Sequence, residues 1–215
     1  MMSCLERAAV REKTIASFAR TDWQGAPLVT VLDDRTVADR IAAITRTWWR
    51  MVTAARESGA DYCLLMEDDL ELNIYLGHNL RNWAPLRARD LEWPFFASLY
   101  NPAHAIVRRH LGENYLIADP WAFWGAQALV MSRATLSYLL RFWDEEDGPP
   151  DLKMPRLAAR VGPVYYHAPS LVQHVGDFST WGGIPHQSPD YDAKFRAASA
   201  APTAAATPFQ SPGLP

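Results

Sequence analysis

Between Asp33 and Gly59 the apolar residues Val37, Ile41, Ile44, Trp48, Val52 and Ala55 recur at steps of three and four. That spacing predicts one face of an amphipathic helix, capped by Asp33 or Asp34 and ended by Gly59. Short apolar runs flank it, Ala26 to Leu32 before and Tyr62 to Met66 after, each bounded by turn or charged residues. They predict buried strands joined by a crossover helix. A further helix from about Arg7 to Arg20 precedes the first run, so helix and strand alternate as in a mostly parallel sheet with helices on its faces. The first strand of such a fold has only Met1 to Leu5 available and is expected to be stunted.

Downstream, Trp93 to Tyr100 and Trp124 to Met131 predict two more strands. The second feeds a helix from Arg133 to Trp143 on which Leu136, Leu139 and Leu140 face one way. A short helix is expected after Pro149-Pro150 and a strand near Val164 to His167. The stretch Asn101 to Asp119 is a long mixed connection carrying Arg108 and Arg109, of the kind that is functional or irregular. From residue 196 onward Ala, Pro, Thr and Ser dominate, which predicts a disordered tail over 196–215 after one domain spanning 1–195.

Composition narrows the classes. At 215 residues and 49% hydrophobic the chain can bury one substantial core. A formal charge of −3 gives no broad basic field, so nucleic acid is not an expected partner. Cys4 and Cys63 lack metal-ligand spacing, and Cys63 reads as a structural thiol in an apolar run. Met1 to Glu12 carries Glu6, Arg7, Arg11 and Glu12 and no apolar core, and no stretch is apolar enough to span a bilayer. A cytoplasmic protein without a transmembrane segment is expected.

The chemistry concentrates in Glu67-Asp68-Asp69, which follows the apolar run without a spacer. Three carboxylates then stand at the carboxyl end of a strand, where ligands bind in open α/β sheets. Adjacent carboxylates repel, and a hard divalent cation such as Mg²⁺ or Mn²⁺ relieves that while keeping positions open for phosphate oxygens. The plainer alternative is a solvated acidic loop.

The run from Ala60 to Leu70 resembles the strand and DxD-type motif of GT-A glycosyltransferases in its Glu-Asp-Asp form. Far downstream, Tyr165 to Gly176 resembles the Pro-Ser-Leu-x-Gln-His-x-Gly segment in relatives of N-acetylglucosaminyltransferase IV. Lys13 to Phe18 looks like the first helix of that family, and the resemblance covers roughly Leu5 to Thr180. It implies a single GT-A, Rossmann-like α/β domain that transfers a sugar from a nucleotide diphosphate sugar, UDP-sugar foremost, to a saccharide or other hydroxyl acceptor, with inversion.

Carried over residue by residue, the resemblance implies Asp69 as the metal ligand and His174 as a second contact to metal or diphosphate. Asp68 would assist through the metal shell or the ribose, Glu67 would support the nucleotide, and Asp33 would end the nucleotide-side strand. Taken alone, His174 reads more readily as a structural histidine, and the Pro-Ser-Leu-x-Gln-His context brings the two readings level. The base that takes the acceptor proton is sought among Asp144, Glu145, Glu146, Asp147 and Asp151; Asp151 is favoured by its spacing before the Pro-Ser-Leu motif, with a plain N-cap as its alternative.

Trp121, Trp124 and Trp181 are candidate sugar platforms, of which only Trp181 is expected to be exposed. Arg108 and Arg109 are phosphate contacts or solvated surface. The competing functions are a metal-dependent phosphohydrolase and a degenerate transferase that serves as a carbohydrate-binding or scaffolding module.

Overall fold

The structure is a computed structural model that describes residues 1–33, 38–88, 91–102, 107–109, 114–123, 125–176 and 186–200. In chain order the elements are β1 (Met2–Ser3), α1 (Ala8–Ala19), β2 (Val31–Leu32), α2 (Arg40–Glu57), β3 (Tyr62–Met66), β4 (Leu70–Leu72), α3 (Leu76–Arg81) and α4 (Ala84–Arg87). Then follow β5 (Phe96–Ser98), β6 (Val107–Arg109), β7 (Tyr115–Ala118), β8 (Ala128–Ser132), α5 (Arg133–Phe142), α6 (Pro150–Ala159), β9 (Val164–His167) and β10 (Val172–His174).

The main sheet has six strands in the order β3-β8-β5-β9-β7-β6. It is mixed, and the expectation of a mostly parallel sheet is corrected: β5 and β9 pair in parallel, whereas β3–β8, β5–β8, β7–β9 and β6–β7 are antiparallel. One expected parallel neighbour is also missing, because β2 does not join this sheet. It pairs with β1 in a separate two-stranded parallel ladder, Met2 opposite Val31, which is the stunted first strand expected from the sequence. The helix α2 therefore connects two sheets instead of two neighbours in one, and β3 takes the edge beside antiparallel β8.

Alternation along the strands builds two cores on the two faces of the sheet. Leu65, Phe96, Leu129, Met131, Val164 and Tyr166 face α2, α5 and α6, where Trp48, Val52, Leu136, Leu139 and Leu157 complete a buried cluster. Their neighbours Met66, Ala97, Ala128, Val130 and Tyr165 face the other way, onto Leu70, Leu76, Leu80 and Trp83. Fully burying a side chain of this size is worth roughly 1.5–3 kcal/mol each. One sheet shared by both cores is the layered arrangement of one α/β unit.

The cap of α2 is Asp39, whose carboxylate accepts from the Ala42 amide at 2.9 Å. Asp33 lies upstream of the helix start, where its amide donates to the Ser3 carbonyl at 2.7 Å and prolongs the β1–β2 ladder while its carboxylate accepts from Thr47 Oγ1 at 3.3 Å; Asp34 lies outside the described residues. Gly59, at φ +72°, closes the helix as expected. Within Asn101 to Asp119 the chain forms the antiparallel pair β6–β7, with Arg108 and Arg109 on β6. Trp121 corrects the expectation of a core aromatic: it sits on a 3₁₀ turn capped by Asp119 and is 67% exposed. Trp124 and Trp181 lie outside the described residues.

The first residues of the segment read as a tail are held in place. Asn73 and Asn79 donate to the Phe195 carbonyl at 2.9 Å each, and the Ala197 amide donates to Asn79 at 2.8 Å. Ala197 is buried. Residues 201–215 lie outside the described set. Among the described residues no helix is long and apolar enough to cross a membrane.

Candidate functional site

The acidic triplet occupies the turn between β3 and β4, and its backbone is clamped from three directions. The Glu67 amide donates to the Gln127 carbonyl at 2.9 Å. The Asp68 carbonyl accepts from Thr14 Oγ1 on α1 at 2.7 Å, and the Asp69 carbonyl accepts from the Val175 amide at 2.9 Å. The helix α1 docks through hydroxyls: Thr14 Oγ1 also accepts from Leu70 N and Ser17 Oγ from Leu72 N, both at 2.9 Å, satisfying the outer edge of β4. On its inner edge β4 pairs antiparallel with β10, placing His174 opposite Leu70. A strand made of the Gln-His segment is thus zipped beside the acidic turn about a hundred residues away in sequence.

A cavity of about 270 Å³ opens at this point. It is lined by Glu67, Asp68, Asp69, Asp33, Asp151 and His174, which brings the residues assigned to metal, nucleotide and base together in one place, whereas Trp121 is not on this lining. The side chains of Arg108 and Arg109 lie outside the described set. Ile44 and Trp48 of α2 add an apolar wall. Of the acids proposed as a base, Asp151 alone is on the lining among the described residues; Glu145 and Glu146 are taken by ion pairs with Arg160, the first at 2.7 Å. Asp151 stands in the first turn of α6 while Pro149 holds the cap position with no side-chain cap bond, which corrects the N-cap alternative.

The carboxylates differ sharply in their surroundings. Asp68 accepts from Ser3 Oγ at 2.6 Å and from Arg7 Nε at 2.8 Å. Asp69 Oδ2 accepts from Arg7 Nη2 at 2.5 Å and lies 3.1 Å from His174 Nε2. Burial pushes both carboxyls up. At Asp68 burial prevails over Ser3 and Arg7 and the carboxyl is raised, whereas at Asp69 the His174 contact and Arg7 outweigh it and hold that carboxyl below its ordinary value. Glu67 is pushed well above the usual carboxylate range, first by desolvation and then by Asp69, Asp151 and Asp68, against Arg7.

Glu67 is only half-buried by accessible surface although protein surrounds it, because its free surface faces the cavity. Asp151 presents an exposed edge to the same cavity, which lets the carboxylate reach a ligand there, while the protein packed around the rest of the group raises its carboxyl.

Three buried polar atoms around this point have no hydrogen-bond partner among the described residues: Asp69 Oδ1, His174 Nδ1 and Gln127 Oε1. Two of these are obligatory acceptors, and an imidazole whose Nε2 donates to Asp69 has an acceptor at Nδ1 as well. Unpartnered buried acceptors are rare, and a cluster of them calls for a donor or a cation. A divalent cation fits that donor set of carboxylate and imidazole, with Asp69 and His174 as the residues to hold it. No group of three or more His, Cys, Asp and Glu side chains is arranged as a ready-made metal cage among the described residues.

Sequence reasoning missed four contributors: Arg7, Ser3, Gln127 and His186. His186 stacks on His174 with ring centroids 4.9 Å apart and planes at 22°, and its Nδ1 lies 2.7 Å from the Tyr100 hydroxyl. It is delivered there by Gln173, which exchanges two hydrogen bonds with the Ser188 backbone at 3.0 and 2.8 Å. Nothing local in the sequence marks His186, which reaches the site only through these contacts across the fold.

Gly176 is required by close approach. A Cβ there would stand 2.5 Å from Asp69 Oδ2 and 3.1 Å from His174 Nε2. Gly176→Ala should therefore displace the carboxylate, costing about 1–3 kcal/mol of stability. Thermal denaturation checks this, and a variant that melts with the wild type would show that the Asp69 carboxylate is not held against Gly176. Comparison with known proteins brings no match: no protein-family model matches the chain, and no characterised protein is found as a relative.

Proposed function

We propose that the chain is a cytoplasmic, metal-dependent glycosyltransferase that moves a sugar from a nucleotide diphosphate sugar, a UDP-sugar foremost, to a hydroxyl acceptor with inversion. The observation that carries this reading is the convergence of Asp33, Glu67, Asp68, Asp69, Asp151 and His174 on one cavity from segments spread over most of the chain. The lining holds five carboxylates and only two guanidinium groups, Arg7 and Arg40. A diphosphate entering such a surface needs added positive charge, which supports a cation bound with it.

In this reading Asp69 and His174 hold the cation and Asp68 backs them, while Asp33 and Glu67 orient the nucleotide. The bound cation supplies stabilisation of the charge that grows on the departing diphosphate. Asp151 takes the proton of the acceptor hydroxyl as its oxygen bonds to the anomeric carbon, and the bond to the diphosphate oxygen breaks with its electron pair leaving on the diphosphate. Ile44 and Trp48 offer the apolar surface against which a base or sugar ring packs.

A second reading has support of its own. Arg7 already neutralises Asp68 and Asp69, which suits a transferase that has lost its chemistry and survives as a carbohydrate-binding or scaffolding module. Calorimetric titration with UDP, with and without Mn²⁺, tests the two. The transferase reading expects binding that strengthens at least tenfold with Mn²⁺, followed by nucleotide release in a screen of UDP-sugar donors; a protein that binds neither UDP nor Mn²⁺ is not this enzyme.

A further inference from the structure

The arginine that bridges the acidic turn is the feature least explained by a waiting metal site. Arg7 lies at the junction between a 3₁₀ turn, Leu5–Arg7, and α1, with φ −93° and ψ 21°. From there its guanidinium spans two carboxylates at once, Nε on Asp68 Oδ1 at 2.8 Å and Nη2 on Asp69 Oδ2 at 2.5 Å. The planar fork makes that two-point contact possible; an ammonium cannot span both groups in this way. Meanwhile Asp69 Oδ1 and His174 Nδ1, on residues 4% and 6% exposed, are left without partners among the described residues. The turn is thus charge-neutralised on one side and unsatisfied on the other.

We propose that Arg7 is a gate: its guanidinium on Asp69 Oδ2 sets a positive charge beside the open Oδ1 of the same carboxylate, so that arginine and a divalent cation bind Asp69 in exclusion of one another. The proposal rests on the transferase reading of this cavity and adds how the site is regulated. Arg7 has somewhere to go, since its side chain is 21% exposed and already on the cavity wall. When it leaves, Asp68 keeps the Ser3 hydroxyl at 2.6 Å and Asp69 keeps the His174 contact, so the turn does not collapse. The freed fork then faces the space where a diphosphate would enter, and phosphate oxygens accept from it as the carboxylates did. The gate makes metal and nucleotide bind together: the anion draws Arg7 off, and the cation takes the vacated carboxylate. A protein whose competent form is a minor population shows an apparent affinity reduced by that fraction.

The test compares Mn²⁺ binding by calorimetry, with and without UDP, in the wild type, Arg7→Gln and Arg7→Lys, with metal-induced shifts in melting temperature as a second readout of folded protein. Exclusion by the bridging fork predicts weak Mn²⁺ binding by the wild type alone. Both variants should bind Mn²⁺ roughly tenfold tighter or more without nucleotide, and both should lose most of the gain that UDP gives the wild type. Arg7→Lys keeps the charge, so it separates the bridge from a general field: a lysine variant like the wild type, with only Arg7→Gln altered, overturns the gate. Equal Mn²⁺ affinity in all three proteins overturns it as well. If none of the three binds Mn²⁺ even with UDP present, the metal reading itself fails and the gate with it.

Discussion

Asp69→Asn is expected to reduce metal-dependent nucleotide release by roughly 10³-fold or more while the protein still folds. The carboxylate serves two partners in turn. Its Oδ2 satisfies Arg7 and His174, and its Oδ1 is the buried acceptor without a partner among the described residues that suits a cation. An amide carries no charge and offers one acceptor atom instead of two. The folded protein holds the Asp69 carboxyl below its ordinary value, so this group contributes stability at neutral pH. That contribution is present above the unfolded value of about 3.9 and is lost as the pH falls through the folded one.

The variant should accordingly melt lower at pH 7, by about 2 kcal/mol of stability since Arg7 keeps Asp68. The gap to the wild type should close on acidification. Melting curves at pH 7 and at about pH 2, below the unfolded carboxylate value, with single-turnover kinetics at neutral pH check both parts. Retained Mn²⁺-dependent release in a folded variant would end the role given to Asp69.

Much of the local structure was legible because the signals are local. The apolar run Tyr62 to Met66 is bounded on both sides by carboxylates, and β3 fills that range; β9 likewise fills Val164 to His167. The period of three and four set α5 closely and the end of α2, but α2 starts more than a turn late, capped by Asp39 instead of Asp33 or Asp34, because tertiary contacts hold Asp33 on the β1–β2 ladder. Strand direction is a different matter. Whether β8 runs with or against β3 is fixed by how the intervening chain returns, through β4, α3, α4 and the β6–β7 pair, and none of that is encoded in the residues of β3. The strands β4 and β10 span only three residues each, too few for any period to show, and exist because Leu72 finds Val172 across the fold.

The site was legible where a motif fixes both residue type and spacing, and illegible where a residue acts by reaching across the fold. Asp69 and His174 stand out in their segments, and the β4–β10 ladder carries them to within 3.1 Å. Arg7 looks in sequence like any charged residue at the start of a helix, and its significance appears only once the acidic turn is placed beside it. His186 sits among Gly, Pro and Ser residues that have no periodicity, and it reaches the site through Gln173 and Tyr100. Local rules cannot report a hydrogen bond to a residue 86 positions away.

Asp151→Asn is the sharpest test of the chemistry as distinct from binding. A missing general base lowers the rate of the chemical step by roughly 10²–10⁴-fold, with UDP and Mn²⁺ affinities unchanged because Asp151 is not assigned to either. Stability should not fall. Desolvation raises the Asp151 carboxyl, so what it contributes to stability is present below the unfolded carboxylate value and lost as the pH rises through the folded one. At neutral pH nothing remains to lose, and the amide or Asp151→Ala should melt at or above the wild-type temperature. A true N-cap would behave in the opposite way, with alanine costing about 1 kcal/mol. The same raised carboxyl places the acid limb of the wild-type rate profile above the ordinary aspartate range, and that limb should vanish in the variant. An acid limb that persists in Asp151→Asn, or a rate within a few-fold of wild type, would assign the proton to another group on the cavity wall, with Glu67 the next in reach of the same space.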